Sequence, residues 1–364
     1  MKWTSKVHKK LQPDHAILRL GYVSLLDSAP IVIGKELGFF DKEGLRVKIS
    51  KVLGWASVRD KIIYSELDAS QAVVGLPFAV SLGLGCPVRP CITPMILNLH
   101  GNSITLSEKI ANNGVFDARS LGEWKSTVHK KLVFGVVSKV STHYFLMKEF
   151  LLMAGLEEMR DYELVVIPPP LVCANLESGT IDGFCVGEPW NSIAAKKKSG
   201  RIIARSADLS PGHPEKVLMM TEEFAHKRHD EVILLNRALL NACEYCEENS
   251  ELVAEIMARK EYLNIPAALL FDCLRGKSFE AIPSQQLSSI LNPFIFRRFD
   301  ANRPSWAKED WILQRMVAQG MASEQFRRSE RIQRVIFRED IFDASTALTQ
   351  KKTSSTPLAL SIKH

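Results

Sequence analysis

The sequence predicts an α/β fold with two lobes and a ligand site in the cleft between them, and three observations support this prediction. Short apolar segments alternate with segments of helical spacing, which is the pattern of a parallel sheet covered by helices. The alternation occurs twice, with a break at about 103–130, in a chain of 364 residues, a length that suits two domains. Polar and aromatic residues follow several of the predicted strands, where open α/β sheets bind their ligands.

The first half of the alternation begins with a βαβ unit. Residues 18–23 are a short apolar strand and residues 47–52 a second strand, and 29–36 between them has helical spacing with Pro30 near its start. Two more strands and two more helices continue the pattern, with strands at 69–74 and 94–99 and helices at 59–65 and 77–84.

The second half repeats the pattern and then becomes mostly helical. Its predicted strands lie at 132–137, 163–167 and 183–186, and its predicted helices lie at 142–154 and 171–178. After about residue 220 the amphipathic runs at 230–260 and 306–320 predict long helices.

These elements predict the domain organisation. Residues 1–16 are a polar tail, and residues 341–364 are a mobile C-terminal tail rich in Ser, Thr and Lys. Residues 17–105 together with 211–340 form lobe 1, and residues 106–210 form lobe 2.

Composition and charge narrow the class of protein. The chain is 46% hydrophobic and 24% charged, as in ordinary globular proteins. Its net charge of +6 comes largely from lysines near the two ends, so no basic face for direct nucleic-acid binding is indicated. The basic start at 1–12 is not followed by the apolar core of a signal peptide, and no apolar stretch reaches the length of a membrane span. We therefore expect a cytoplasmic protein without a membrane span.

Motifs for catalysis or cofactor binding are absent from the sequence. It contains no dinucleotide-binding GxGxxG, Walker A, HExxH or GxSxG motif, and no pair of carboxylates that can be assigned to one cleft. Cys243 and Cys246 form a CxxC inside a predicted helix, with no second metal half-site after it. We predict a protein that is not an enzyme and that holds neither a metal nor a cofactor.

Two candidate ligand contacts follow strands of the first half. Trp55, after the strand at 47–52, can direct its indole N–H to a ligand, but it can equally pack on the lobe interface. Asn102 follows the strand at 94–99 and can donate an amide N–H, although Asn beside Gly101 is more often a turn residue.

Further candidates lie in the second half of the alternation. Thr142 and His143 begin a helix whose N-terminus offers free backbone N–H groups to an anion, or they are simply part of a capping turn. Gly187 and Glu188 follow the strand at 183–186, where Glu188 can orient a donor. Lys216 can neutralise a monoanion, although an isolated lysine is more often at the surface.

Several segments together resemble a known family. The longest is Asp-Gly-Phe-Cys-Val-Gly-Glu-Pro-Trp-Asn at 182–191, and shorter ones lie at 18–44, 54–61, 101–105, 141–143 and 166–170. Across about 17–340 the chain resembles the nitrate-binding branch of the periplasmic-binding-protein-like proteins. The resemblance implies a type II fold with the ligand between the lobes.

The resemblance also implies which residues contact the ligand. The family's contacts fall on Trp55, Asn102, His143 and Lys216 of this sequence. The transport proteins of the family carry Gln at the position of Asn102. The shorter side chain here puts in doubt the contact with the ligand and the ligand preference at this position. Bicarbonate-binding relatives replace the cation at Lys216 with an acidic residue that helps to hold a metal, so Lys216 favours nitrate or nitrite.

Three functional hypotheses follow from the resemblance. The first is a cytoplasmic nitrate/nitrite sensor whose ligand-induced closure releases an RNA-binding, response-regulator-like antiterminator and so switches on nitrate-assimilation genes. The alternative is the substrate-binding component of an ABC-type nitrate or bicarbonate transporter. The third, an enzyme for a small heteroaromatic substrate, has no motif in its favour.

Overall fold

The structure is a computed structural model that describes residues 16–277, 294–328 and 335–347. None of the helices within these ranges is long and apolar enough to cross a membrane. The predicted N-terminal tail, except for Ala16, and residues 348–364 of the predicted C-terminal tail lie outside the described residues.

The strands are short, and most of their side chains are buried. They are β1 Leu18–Val23, β2 Val47–Val52, β3 Ala69–Val73, β4 Cys91–His100, β5 Asn102–Ser107, β6 Leu132–Val136, β7 Tyr162–Val166, β8 Gly183–Gly187, β9 Gly200–Arg205, β10 Pro214–Thr221 and β11 Phe294–Ile295.

The helices fall into two groups, those that connect the strands and a long series after β10. Those before β10 are α1 Ala29–Glu36, α2 Phe39–Lys42, α3 Trp55–Ile63, α4 Leu76–Leu82, α5 Glu108–Ala111, α6 Ala118–Lys125, α7 Thr142–Met153, α8 Val172–Glu177, α9 Trp190–Lys196 and α10 Ser206–Leu209. Those after it are α11 Glu222–Lys227, α12 His229–Glu248, α13 Ser250–Met257, α14 Ala267–Arg275, α15 Trp306–Ala318, α16 Glu324–Arg328 and α17 Glu339–Thr346.

The strands form two sheets, one in each lobe. The first sheet has the order β11-β4-β10-β3-β1-β2, in which β1, β2 and β3 are parallel and β10 runs antiparallel to both of its neighbours. The second sheet has the order β7-β6-β8-β5-β9, in which β6, β7 and β8 are parallel and β5 runs antiparallel to β8. This arrangement confirms the predicted α/β fold with two lobes.

The chain passes from the first sheet to the second through a single glycine. Gly101 separates β4 from β5 and has a φ of +100°, a conformation that favours glycine. A Cβ atom at this position would lie 2.5 Å from Cε1 of Phe294. The need for glycine at 101 therefore comes from the crossover and its packing.

Helix α7 shows how the local sequence positions a functional residue. The Ser141 hydroxyl accepts a hydrogen bond from the backbone N–H of Tyr144 at 3.2 Å, which fixes the first turn as the sequence predicts. Phe145, Leu146 and Leu151 are buried along the same helix. The capped first turn therefore holds Thr142 and His143 at the carboxyl end of β6.

The structure corrects several predicted boundaries. Residues 102–105, predicted for lobe 1, begin strand β5 of the second sheet. The predicted helix at 230–260 is divided between α12 and α13, because Asn249 leaves the helical conformation at a φ of −123°. The predicted C-terminal tail starts too early, since α17 extends to Thr346 and buries Ile341 and Phe342.

Candidate functional site

The candidate site lies where strand ends of both sheets meet. The carboxyl ends of β1 and β2 lead to it from the first sheet, and those of β6 and β8 lead to it from the second. Strands β10 and β5 run antiparallel to their neighbours, so their amino ends reach the same edge. The fold therefore assembles the site from segments far apart in sequence.

The four predicted ligand contacts come together and are almost completely buried. Trp55 is the first residue of α3, Asn102 is the first residue of β5, and His143 lies in the first turn of α7. Lys216 lies in β10 and has no exposed surface, so its interpretation as a surface lysine is wrong. The interpretation of Asn102 as a turn residue is also wrong, because Asn102 pairs with Gly187 across the second sheet.

Hydrogen bonds connect the side chains that the second lobe contributes. Nε2 of His143 lies 2.6 Å from Oδ1 of Asn102, and Nδ2 of Asn102 lies 3.3 Å from Oγ1 of Thr142. These contacts fix the amide and the imidazole relative to one another. Thr142, which the sequence placed near the site, is therefore part of it.

Lys216 is paired with two carboxylates. Its ammonium lies 2.8 Å from Oδ2 of Asp27 and 2.6 Å from Oε1 of Glu215, and 5.6 Å from the centre of the Trp55 ring. The prediction that no paired carboxylates share the cleft is therefore wrong. The role of Lys216 in neutralising a monoanion stays a prediction, and its ammonium already has two anionic partners.

The Glu215 carboxylate accepts hydrogen bonds from groups of both lobes. Its Oε2 lies 2.5 Å from Nδ2 of Asn102 and also accepts from Oγ1 of Thr142, and its Oε1 lies 3.1 Å from Nε2 of His143. His213 lies on its other side, with Nδ1 3.7 Å from Oε2. Glu215 is thus at the centre of the polar cluster.

Asp27 is held in place by a short chain of hydrogen bonds. Its Oδ1 accepts from Nε2 of Gln71 at 2.5 Å, and Oε1 of Gln71 accepts from the backbone N–H of Val23 at 3.0 Å. Asp27 and Gln71 have no exposed surface. Asp27 therefore forms a fixed link between β1, β3 and Lys216.

Burial and charge act in opposite directions on the acids and the ammonium. Burial raises the pKa of Asp27. Burial also disfavours a charged Glu215, but the charge of Lys216 and the hydrogen bond from His143 outweigh it and hold the pKa of Glu215 well below its usual range. The two carboxylates likewise outweigh burial at the ammonium and raise the pKa of Lys216. Lys216 and Glu215 therefore form a charged pair.

The two histidines of the cluster favour the neutral form. Burial lowers the pKa of His143, and it lowers the pKa of His213 to about 4. Neutral imidazoles each provide one donor and one acceptor, so His143 can donate to an anion without carrying charge.

Several buried polar atoms of the cluster have no hydrogen-bond partner among the described residues. They include the indole Nε1 of Trp55, the Nδ1 of His143 and the Nε2 of His213. An unpartnered buried polar group destabilises the folded state by about 1–3 kcal/mol and needs an explanation. A ligand that accepts the indole N–H would supply the missing partner for Trp55.

The remaining predicted residues have different surroundings. Gly187 borders the cluster, since a Cβ atom there would lie 3.3 Å from Oδ2 of Asp27. Glu188 is buried, but its carboxylate accepts from the backbone N–H of Ser192 at 3.1 Å and lies 3.8 Å from Sγ of Cys273. Burial raises the pKa of Glu188 to about 7. Gly101 allows the chain to cross from the first sheet to the second.

The sequence predictions missed Asp27, Gln71, His213 and Glu215. Glu215 is next to Lys216, and a regular strand would direct neighbouring side chains to opposite faces. The pairing of β10 with β4 shifts its register on both sides of Lys216, however, and such irregularities redirect side chains. The sequence Pro-Glu-Lys at 214–216 therefore predicts that Glu215 and Lys216 share a site only if the strand contains a bulge.

No metal-binding arrangement is evident in the described ranges. Within them, no group of three or more His, Cys, Asp or Glu side chains is placed to hold a metal ion. The acids of the cluster have Lys216 as their counter-charge instead.

The fold and the site define a class of protein. The chain has the type II periplasmic-binding-protein fold: its structure matches the crystal structure of the periplasmic nitrate-binding protein NrtA from Synechocystis PCC 6803 with a TM-score of 0.85, over 93% of this chain and 90% of NrtA, at 24% identity. The chain belongs to the NMT1-like family, whose model matches residues 11–259.

Two curated relatives are more similar in sequence. The nitrate import ATP-binding protein NrtC of Synechocystis sp. is 36% identical over 313 residues, which is 83% of this chain and 46% of NrtC. The bicarbonate transport ATP-binding protein CmpC of Synechococcus elongatus is 33% identical over 310 residues, which is 83% of this chain and 45% of CmpC. The chain thus spans about half the length of these relatives. The family match and the structural match to NrtA confirm the predicted resemblance to the nitrate-binding branch.

Proposed function

We propose that the chain binds nitrate or nitrite in the buried cluster, as the solute-binding part of an ABC-type import system. The main support is the convergence of Trp55 and Lys216 from one lobe with Asn102 and His143 from the other. Because the donors come from both lobes, the ligand stabilises the closed arrangement. Binding thereby becomes a change of shape that a partner protein can detect.

The donor set suits a small planar oxyanion. Nitrate and nitrite carry one negative charge and offer only acceptor atoms. The indole of Trp55, the hydroxyl of Thr142 and the imidazole of His143 are donors without charge, and Lys216 adds a cation. Hydrogen bonds to a charged group contribute about 1.5–3 kcal/mol each, and micromolar affinity corresponds to about 8 kcal/mol in total. Four such bonds, reduced by the free energy of ordering, reach this range.

The transport role rests on the relatives. NrtC and CmpC are named as ATP-binding proteins of nitrate import and bicarbonate transport. These names favour the transporter hypothesis over the sensor. The cytoplasmic localisation and the antiterminator partner stay predictions from the sequence, which cell fractionation and co-purification from the native host would test. We propose no catalytic step.

Calorimetric titration with nitrate, nitrite and bicarbonate tests the ligand. Trp55→Phe removes the unpartnered indole N–H but keeps an aromatic ring, so we expect nitrate affinity to fall about 10- to 100-fold. Trp124→Phe on α6, away from the cluster, is the matched control and should bind like the wild type. Trp55→Phe is a better probe than Lys216→Ala, because removing the ammonium strands two buried carboxylates and can unfold the protein.

The three anions separate the hypotheses. Binding of nitrate or nitrite that depends on the Trp55 indole supports the proposal. Binding of bicarbonate alone would keep the oxyanion site but contradict the nitrate assignment. Binding of none of the three anions by the wild type would contradict the proposed function itself.

A further inference from the structure

Apart from the Trp55 indole, the donors assigned to the ligand are already occupied by a side chain of the protein. Asn102, Thr142 and Lys216 donate to the Glu215 carboxylate, and His143 lies within 3.1 Å of it. A carboxylate is itself a planar oxyanion with one delocalised charge and acceptor oxygens only. Glu215 therefore presents to these donors the same chemistry as nitrate.

The charges of the cluster oppose the entry of a second anion. Asp27 and Glu215 contribute two carboxylates and Lys216 one ammonium, which gives a net charge of −1 when all three are ionised. An added monoanion would bring the total to −2 inside a buried cluster. Two like charges 4 Å apart repel by about 4 kcal/mol at an effective dielectric constant of about 20. Loss of one negative charge from the cluster removes this repulsion.

The titratable groups around Glu215 come from several elements of the fold. They are Asp27 after β1, His143 on α7, Cys185 on β8, His213 before β10 and Lys216 on β10, with Arg315 of α15 acting on His213. Only Lys216 and Arg315 among these carry positive charge while both histidines are neutral. The pKa of Glu215 is low because Lys216 and the hydrogen bond from His143 stabilise its charge against the effect of burial. If an oxyanion takes those donors, burial remains and favours the protonated acid.

We propose that Glu215 is an intramolecular competitor of the oxyanion, and that the ligand displaces its carboxylate from the donors with uptake of one proton. This inference rests on the proposed function of the site. The proton goes from solvent to the Glu215 carboxylate, so the net charge of the cluster stays at −1 when the ligand is bound. Glu215 thus sets the affinity and makes it dependent on pH.

Glu215→Gln tests the competition. The amide keeps the shape of the side chain but removes its charge. We expect the variant to bind nitrate at least about tenfold more tightly than the wild type at pH 8, and with little dependence on pH. The wild type should lose affinity by up to about tenfold per pH unit as the pH rises, because one proton enters with each anion.

The number of protons is measured directly on the wild type. Titration in buffers with different enthalpies of ionisation gives the protons taken up per bound nitrate, and we expect about one. This measurement tests the coupling of nitrate binding to proton uptake even if Glu215→Gln does not fold. Glu163→Gln, which neutralises a partly exposed carboxylate paired with Lys131 on the same lobe as His143, is the control and should bind with the affinity of the wild type.

The outcomes separate this inference from the proposed function. Equal or weaker binding by a folded Glu215→Gln variant, or the absence of proton uptake by the wild type, overturns the competition while nitrate binding stands. If the wild type binds none of the three anions, the proposed function fails and the competition fails with it.

Discussion

Two buried lysines of this protein have opposite surroundings. Lys216 lies between the carboxylates of Asp27 and Glu215, which raise its pKa against the effect of burial. Lys308, on α15, donates to the backbone carbonyl oxygens of Asp300, Ala301 and Arg303 at 2.6, 3.1 and 3.0 Å. Burial lowers the pKa of Lys308 to about 8.

The comparison shows that burial alone does not indicate a functional lysine. The acceptors of Lys308 all lie within eight residues of it, so its environment is complete within one segment of the chain. The environment of Lys216 includes Glu215, whose own donors Asn102, Thr142 and His143 come from the other lobe. The surroundings of Lys216 therefore depend on the position of the second lobe, whereas those of Lys308 do not.

The largest expected difference between the two lysines is in stability. Lys216→Met leaves Asp27 and Glu215 buried without a counter-charge, so we expect a loss of about 3–5 kcal/mol in the free energy of unfolding. Lys308→Met removes hydrogen bonds to carbonyl groups but also an ammonium whose burial is unfavourable, so we expect a smaller loss, of less than about 3 kcal/mol. Urea unfolding near pH 7 measures both. Adding Glu215→Gln to Lys216→Met should recover part of the loss, and equal losses for the two single variants would contradict the comparison.

The second expected difference between Lys216 and Lys308 is in the pH dependence of stability. Between pH 8 and 10.5 the folded protein has lost the Lys308 proton while the unfolded chain keeps it, so the contribution of Lys308 to stability rises with pH in this window. A pKa change from 10.5 to about 8 corresponds to about 3 kcal/mol. We expect the wild type to gain up to this amount relative to Lys308→Met between pH 8 and 10.5, as measured by urea unfolding of both proteins. A constant difference between the two proteins would show that Lys308 is not deprotonated in the fold.

The fold was predictable where apolar residues recur between clear ends, and less so elsewhere. Strands β1 and β2 coincide with the predicted 18–23 and 47–52, although β2 alternates apolar residues with Lys and Ser. Strand β5 was missed, although Ile104 and Leu106 alternate with polar residues, because all but the last of its side chains are buried and the polar ones resemble a loop in sequence. Helix α3 begins at Trp55, four residues before the helix predicted at 59–65.

The site was predictable only in part. The resemblance indicated Trp55, Asn102, His143 and Lys216, which the fold brings together, but it said nothing of the groups that compensate their charge. Asp27 lies in a buried 3-10 turn after β1, and no local pattern indicates that its partner is a lysine 189 positions away. Such pairings depend on sheet order and register, which single-sequence patterns do not contain.

The smallest expected effect concerns the approach of the two lobes on which the surroundings of Lys216 depend. Gly75, which precedes α4, faces Val140 of the other lobe, and a Cβ atom there would lie 2.1 Å from the Val140 carbonyl oxygen. Its φ of −81° is accessible to alanine, so Gly75→Ala should fold normally but resist closure. We expect nitrate affinity to fall at least about tenfold, or about 1.4 kcal/mol, in calorimetric titration. The pH dependence of unfolding that is due to Lys308 should not change.

Gly54→Ala is the matched control, since its Cβ would meet Cβ of Pro168 across the same boundary at an ordinary 3.8 Å. If Gly75→Ala binds nitrate as tightly as Gly54→Ala, ligand binding does not require the lobes to approach as closely as they do here. Lys216 would then differ from Lys308 only in the groups that contact it directly, and not in its dependence on the second lobe.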